Sequence, residues 1–339
     1  MERRGRGDPP RVSVLLPVRD AEATLESALV SVLGQTVSEI EVIAVDDGSR
    51  DASLALLREW SRRDARLRAF PQPTAGVVVA LQHALEEARA PLVARIDARD
   101  VLHPRKLERQ LAELRDRSGL LVGCLAGCIP AEGRGSGERH LQWSNRLIGA
   151  DSIAAAAFID CPVVPATLLM HRADLLALGG FREVPWRVGY DLFLRAHVAG
   201  LRTEKVAKVL YYVRDEPQRL SVTDPSGSLE SLLRAKAHYL ARGPLRAVHR
   251  VVIFGAGRTG RRLANHLRRE GVPLEAFVDH RAPGLPAVRG LEVHSPSWLS
   301  GARAFVVVAL PSEGVRETVR RELRERYGLE ELRDFIMAA

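Results

Sequence analysis

The sequence predicts an α/β protein with two sheets in succession: a large, mostly parallel one over residues 11–222 and a smaller βα unit over 249–339. Three observations carry this expectation. Short apolar runs alternate with segments of helical period throughout the first part. Two of those runs, at 40–47 and 92–97, end in carboxylates, as strands do where open α/β sheets keep their ligands. A later apolar run, from Arg250, passes directly into Gly255-Ala-Gly257-Arg-Thr-Gly260.

Each element follows in order. Val12-Ser-Val-Leu-Leu-Pro17 reads as a buried first strand stopped by its proline, and Asp20 is placed to cap a helix carrying Leu25, Leu29 and Val32 on one face. A second strand at 40–45 leads to the turn Asp46-Asp47-Gly48-Ser49 and a helix opened by Asp51, with Leu54 and Leu57 inward. A third strand is expected at 67–70 and a helix at 78–88. The central strand then begins at Leu92 and spills into Arg95-Ile-Asp97-Ala-Arg99-Asp100. Pro104 suits the first position of the next helix, in which Leu107, Leu111 and Leu114 recur at helical spacing. A strand is expected at 206–213, a polar stretch at 215–227, and a linker within 223–248 that is helical over 229–240.

Composition narrows the functional classes. At 46% hydrophobic and 27% charged, the 339-residue chain has the makeup of a soluble globular protein. Its net charge of +8 rests on arginine, since only four basic residues are lysine. The arginines alternate with glutamate, as in Arg320-Arg-Glu-Leu-Arg-Glu-Arg326, which reads as a solvated, ion-paired face rather than a nucleic-acid surface. Cys124, Cys128 and Cys161 are an odd, small set and suit a reducing compartment. The longest apolar stretch, near 153–170, is broken by Asp160, Pro162 and Pro165, short of the about 20 residues a membrane helix needs. Arg3, Arg4 and Arg6 have no apolar core behind them, so residues 1–10 read as a disordered basic tail rather than a secretory signal. The expectation is a cytoplasmic protein, with peripheral contact to the inner face of the membrane compatible with it.

Taken together, these stretches carry a family resemblance. Val14-Leu-Leu-Pro-Val-Arg-Asp-Ala-Glu22, Ser31-Val-Leu-Gly-Gln35, Glu41-Val-Ile-Ala-Val-Asp-Asp-Gly-Ser-Arg-Asp51 and Ala94-Arg-Ile-Asp-Ala-Arg-Asp100 come in the order of the inverting family 2 glycosyltransferases of the GT-A fold. The resemblance continues through Pro104-Arg-Lys-Leu-Glu-Arg-Gln110, Ala166-Thr-Leu-Leu-Met-His-Arg172, Leu178-Gly-Gly-Phe181 and Tyr190-Asp-Leu-Phe-Leu-Arg195. It implies a nucleoside diphosphate-sugar donor and a saccharide or lipid-linked acceptor. Pro17 and Arg19 would lie against the nucleoside, with Glu41 and Asp47 accepting hydrogen bonds from it, and Arg95, Asp97 and Arg99 would face the diphosphate.

The chain departs from the resembled pattern twice. Arg99 stands where the family has the second aspartate of a divalent-cation (Mg or Mn) site. Three arrangements remain open: Asp97 and Asp100 hold the ion, Arg99 neutralises the diphosphate itself, or metal is not used. Val188 and Gly189 stand where the family usually has the acids that serve as catalytic base. Asp191 is the nearest carboxylate, with Glu183 upstream, and Asp191 reads either as that base or as a helix anchor. A catalytically impaired nucleotide-sugar-binding or scaffold protein is therefore the rival to an active enzyme.

The second unit has the dinucleotide fingerprint in its expected setting: a strand, then Gly255, Gly257 and Gly260, a helix through Leu263 and Leu267, and Asp279 closing the next strand. It resembles the nucleotide-binding domain at the front of some sugar O-acyltransferases. A nucleotide or NAD(P) bound there, and a structural or homo-oligomerising unit that keeps the loop for its turn alone, are both open.

Overall fold

The computed structural model describes residues 9–115, 117–129, 138–214, 227–301 and 303–339. The basic tail, apart from residues 9 and 10, and the polar stretch at 215–226 lie outside the described residues.

The first sheet starts with β1 (Val12–Val18), α1 (Glu22–Leu33), β2 (Ile40–Asp47), α2 (Ser53–Arg63), β3 (Leu67–Gln72), α3 (Val77–Glu86) and β4 (Leu92–Arg95). It is completed by β5 (Val101–Leu102), α4 (Lys106–Leu114), β6 (Leu120–Ile129), α5 (Glu138–Arg146), α6 (Ala150–Ala156), β7 (Leu169–His171), α7 (Arg172–Ala177), α8 (Val188–Val198) and β8 (Arg202–Arg214). Strand order is β3-β2-β1-β4-β7-β6-β8-β5. The β3-β2-β1-β4 half is parallel, as alternating strands and helices require. The other half is mixed: β7 runs antiparallel to β4 and β6, while β6 and β8 run parallel. Strands β5 and β7 are two and three residues long, too short to leave an apolar period in the sequence. The run holding Cys124 and Cys128 is the long strand β6. Burial pushes the Cys124 thiol up to about 11 and the Cys161 thiol up to about 12, so both behave as apolar side chains.

Helix α9 (Leu229–Arg242) leads to the second sheet, made of β9 (Val251–Phe254), α10 (Arg258–Arg269), β10 (Leu274–Val278), β11 (Val293–His294), β12 (Phe305–Val308), α11 (Glu313–Glu325) and β13 (Phe335–Met337). Its order is β11-β10-β9-β12-β13, and every pairing is parallel. The helix expected as a linker is part of the core. Leu233, Ala237 and Leu240 are fully buried in one apolar cluster that runs from Leu15 and Phe193 of the first sheet to Val251 and Val307 of the second. Among the described residues no helix is long and apolar enough to cross a membrane.

Helix starts differ from expectation in an informative way. Asp20 does not cap α1, whose N-cap is Ala21, because its own backbone is left-handed at φ 44°. Pro104 falls before the Arg105 N-cap of α4 rather than inside the first turn.

The glycine loop of the second sheet is demanding at two positions. Gly255 has φ +112°, and a Cβ on Gly260 would stand 1.9 Å from the Gly255 carbonyl oxygen. Gly257 has φ −75°, with no atom nearer its Cβ position than Arg281 Nη2 at 4.0 Å. Gly260→Ala should cost toward the upper end of about 1–3 kcal/mol in urea denaturation. Gly257→Ala should cost under about 1 kcal/mol, the ordinary effect of alanine at an N-cap.

Candidate active site

The loops after β1 and β2 cap each other. Ala21 N–H donates to Ser53 Oγ at 2.9 Å, Glu22 N–H to Asp51 Oδ2 at 2.9 Å, and Ala52 N–H back to Glu22 Oε2 at 2.9 Å. Arg50 N–H reaches Asp20 Oδ1 at 2.8 Å, and Asp20 N–H reaches Ser49 Oγ at 3.1 Å. Free amides at the starts of two helices are thus met by side chains from the opposite loop, which fixes both loops on one edge.

That edge carries Asp47 and Arg19. The Asp47 carboxylate accepts from Ala75 N–H at 2.7 Å, Gln72 Nε2 at 2.9 Å and Gly76 N–H at 2.9 Å, so it holds the loop before α3. Arg19 Nη1 lies 3.6 Å from Asp47 Oδ2, with Pro17 half-buried on the same strand end. Beside them Asp46 keeps a buried Oδ1 with no hydrogen-bond partner among the described residues.

The end of β4 stands on the same side. Strand β1 pairs with both β2 and β4: Val18 faces Asp46 on one side and Leu15 faces Arg95 on the other. Asp47 and Asp97 are therefore two strand spacings apart, about 10 Å, on one edge. Arg95 grips Asp97 Oδ1 through Nε at 2.9 Å and Nη2 at 2.6 Å, and Arg99 Nη2 donates to the Asp20 carbonyl at 3.0 Å. Strand β8 braces this turn from beyond. Tyr211 OH donates to Asp100 Oδ2 at 2.8 Å, Arg214 N–H donates to Asp100 Oδ1 at 3.0 Å, and Arg214 Nε reaches the Arg99 carbonyl at 3.1 Å. The roles of Tyr211 and Arg214 had no signal in the sequence beyond a polar end to an apolar strand.

Three residues singled out in the sequence are reassigned by this geometry. Asp100 has no exposed surface and both its oxygens serve Tyr211 and Arg214, so it is a brace and not an open metal ligand. Glu41 lies at the opposite end of β2, about 20 Å from Asp47 by strand rise, and binds Ser13, Arg89 and Arg68. It cannot meet the same nucleoside as Asp47. Asp191 is fully buried: its Oδ1 accepts from Trp186 Nε1 at 2.9 Å and Tyr239 OH at 2.5 Å, and its Oδ2 from Arg195 Nε at 2.8 Å. It anchors α8 to α9 and cannot reach an acceptor hydroxyl. Of the two positions ahead of it where acids were expected, Gly189 has no room for one, since a Cβ there would lie 2.4 Å from Pro165 Cγ.

In the second sheet Asp279 is spent inside the protein. Its Oδ2 accepts from Ala256 N–H at 2.9 Å, and its Oδ1 from the N–H and Nε of Arg281, both at 3.0 Å. Burial alone would raise its pKa, but the Arg281 guanidinium and these N–H donors outweigh that and hold it at about 2. The acid expected on ribose hydroxyls is therefore already paired. Near Gly257, Arg258, Arg261, Arg262 and Arg289 line a shallow concavity.

Two outcomes follow. Asp191→Ala should destabilise the protein by about 3–5 kcal/mol in urea denaturation, because Arg195 stays buried without its partner. The folded pKa of Asp279 lies below the ordinary 3.8, so its contribution to stability is complete above that value and fades as pH falls toward about 2. The stability gap between the wild type and Asp279→Asn should accordingly narrow on acidification from about pH 5 to about pH 2.

Comparison with known proteins fits this edge. Residues 13–176 match the model of glycosyl transferase family 2. The uncharacterized glycosyltransferase EpsJ of Bacillus subtilis (strain 168) is 31% identical over 115 residues, 34% of this chain and 33% of that protein. The putative glycosyltransferase EpsE of the same organism is 28% identical over 214 residues, covering 61% of this chain and 74% of that protein. The chain thus spans about a third of the length of EpsJ but most of EpsE. S. aureus TarS 1–349, solved with UDP-GlcNAc, superposes with a TM-score of 0.55 at 19% identity, over 76% of this chain and 72% of that one, a likeness of fold. The matched residues hold β1, β2 and β4 and the loops that end them, so the similarity to glycosyl transferase family 2 falls on the part of the chain that builds this edge.

Proposed function

We propose that the protein transfers a sugar, with inversion, from a nucleoside diphosphate-sugar to a hydroxyl of a saccharide or lipid-linked acceptor in polysaccharide or glycoconjugate assembly. The observation that carries this reading is the convergence of Arg19 and Asp47 with Arg95, Asp97 and Arg99 on one edge of the first sheet. Arg19 and the loop held by Asp47 would receive the nucleoside beside Pro17. The guanidinium groups of Arg95 and Arg99 would meet the diphosphate, whose negative charge grows as the bond to the sugar breaks. Their planar forks match phosphate oxygens.

A divalent cation at this edge, Mg or Mn, finds a thin donor set. With Asp100 committed to Tyr211 and Arg214, Asp97 is the carboxylate left to face it, already paired with Arg95. No three His, Cys, Asp or Glu residues among those described could together hold a metal ion. Asp97 with substrate phosphates and water could hold Mg, which commonly binds through one or two carboxylates; the ion would supply charge neutralisation on the leaving diphosphate. The protein's own groups for that task are the arginines.

The rival reading, nucleotide-sugar binding without turnover, is favoured by one observation: Gly189 has no room for a carboxylate where the family's base usually stands. Calorimetry with UDP and GDP, paired with transfer assays over a panel of donor sugars, separates the two. The enzyme reading predicts binding and turnover, and binding without turnover for any donor would favour the rival. In both readings Asp47→Ala should abolish nucleotide binding. Arg99→Ala should lower kcat/KM by about 10- to 100-fold, the loss of a charge-assisted contact to phosphate.

A further inference from the structure

Resting on the transfer reading above, the remaining question is what takes the proton from the acceptor hydroxyl. The start of α8 offers no free carboxylate, because Gly189 is pressed against Pro165 and Asp191 is triply bonded below the surface. Another proton-accepting pair, His140 with Asp160, stands on the segments around β7 and β6. Strand β7 runs antiparallel to both β4 and β6, so β4 and β6 point the same way, and the segment entering β7 lies at the carboxyl end of β4. That segment carries Asp160. Helix α5 follows β6 and carries His140, and it is tied to that strand by Asn145, whose amide exchanges two hydrogen bonds with the Ala126 backbone.

His140 Nδ1 lies 3.6 Å from Asp160 Oδ2, and the two side chains are 38% and 35% exposed, so both remain open to a substrate. The other Asp160 oxygen is fixed by Cys161 N–H at 2.7 Å, and α5 is tied to the segment by Ser144 Oγ donating to the Pro162 carbonyl at 2.9 Å. Pro165, five residues on from Asp160, is the residue that contacts Gly189. Asp160 acts electrostatically on Tyr190, the residue after Gly189, and Arg187, the N-cap of α8, acts on His140, which puts the pair near the start of α8 where the expected base is missing.

We propose that His140, oriented by Asp160, is the base for the acceptor hydroxyl. The hydroxyl oxygen forms its bond to the anomeric carbon as the bond to the diphosphate oxygen breaks, and that electron pair leaves with the nucleoside diphosphate. The hydroxyl proton passes to His140 Nε2, the ring nitrogen turned away from Asp160, and the carboxylate steadies the imidazolium until the proton is lost to water. Among the described residues, the charged groups that act on His140 are Asp160, Arg187 and Lys205. Its pKa is lowered from the ordinary histidine value, by burial first, with Asp160 opposing that and Arg187 and Lys205 adding to it.

The test is steady-state transfer by His140→Gln, Asp160→Asn and, as comparator, the exposed Glu183→Gln, over a range of pH. His140→Gln should lower kcat at least about 100-fold with the donor KM within about twofold, and erase the acidic limb of the pH–kcat profile. Asp160→Asn should lower kcat less and move that limb to lower pH, since it removes the group that raises the His140 pKa. Glu183→Gln should match the wild type. If His140→Gln keeps both its kcat and its acidic limb, or if Glu183→Gln loses them, the assignment is overturned while the transfer reading stands. A wild type that binds UDP without transferring from any donor would overturn both. A His140→Gln variant that fails to fold leaves the Asp160→Asn limb shift as the deciding result.

Discussion

The cross-bonding between the loops after β1 and β2 is the constraint on which the rest of this protein depends. Helix starts leave amides without partners, and here Asp20, Glu22, Ser49, Asp51 and Ser53 supply them across the gap between strands, with Asp51 also accepting from Ser53 N–H in its own loop. Each loop is the other's cap. Arg99 joins this knot through the Asp20 carbonyl, so the third strand end is registered to the same point. Charged groups from β1, β2 and β4 are held in position before any ligand arrives, and that preorganisation is what electrostatic stabilisation of a leaving diphosphate needs.

Away from that edge, the molecule is joined by buried cations. Three of the four lysines, Lys106, Lys205 and Lys236, are buried, and burial pushes each down to about 8. Lys205 Nζ donates to the Ser144 carbonyl at 2.5 Å and Lys236 Nζ to the Ile159 carbonyl at 2.8 Å, next to Asp160. These two bonds brace the segments that present His140 and Asp160. Lys236 and Tyr239 both lie on α9, and Tyr239 completes the Asp191–Arg195 network of α8. The helix between the sheets therefore braces the segments of the first sheet that carry His140 and Asp160 while its other contacts bury the second sheet.

Much of this was readable from residues. Strand runs ending in acids located β2 and β4, and strand-to-glycine continuity located β9 and α10. What was not readable depended on long-range partners. Asp20 and Asp51 looked like local caps because each precedes a helical period; Asp51 does accept from Ser53 N–H at the start of its own helix, but it also serves the other loop, as Asp20 does. Glu41 sits in a familiar string with Asp47, and only strand rise reveals that six residues carry it to the far end. Asp191 could be base or anchor until Trp186 and Tyr239 were seen to enclose it. His140 and Asp160 are twenty positions apart on separate segments, and sequence spacing carries no sign of their meeting.

The central claim, that the edge formed by β1, β2 and β4 receives the nucleoside diphosphate, is tested most directly by hydrogen exchange with and without UDP. Amides at 18–22, 47–53 and 95–100 should gain protection, with those at 255–262 unchanged. Protection confined to the glycine loop at 255–262, or absent at saturating UDP, would contradict the account.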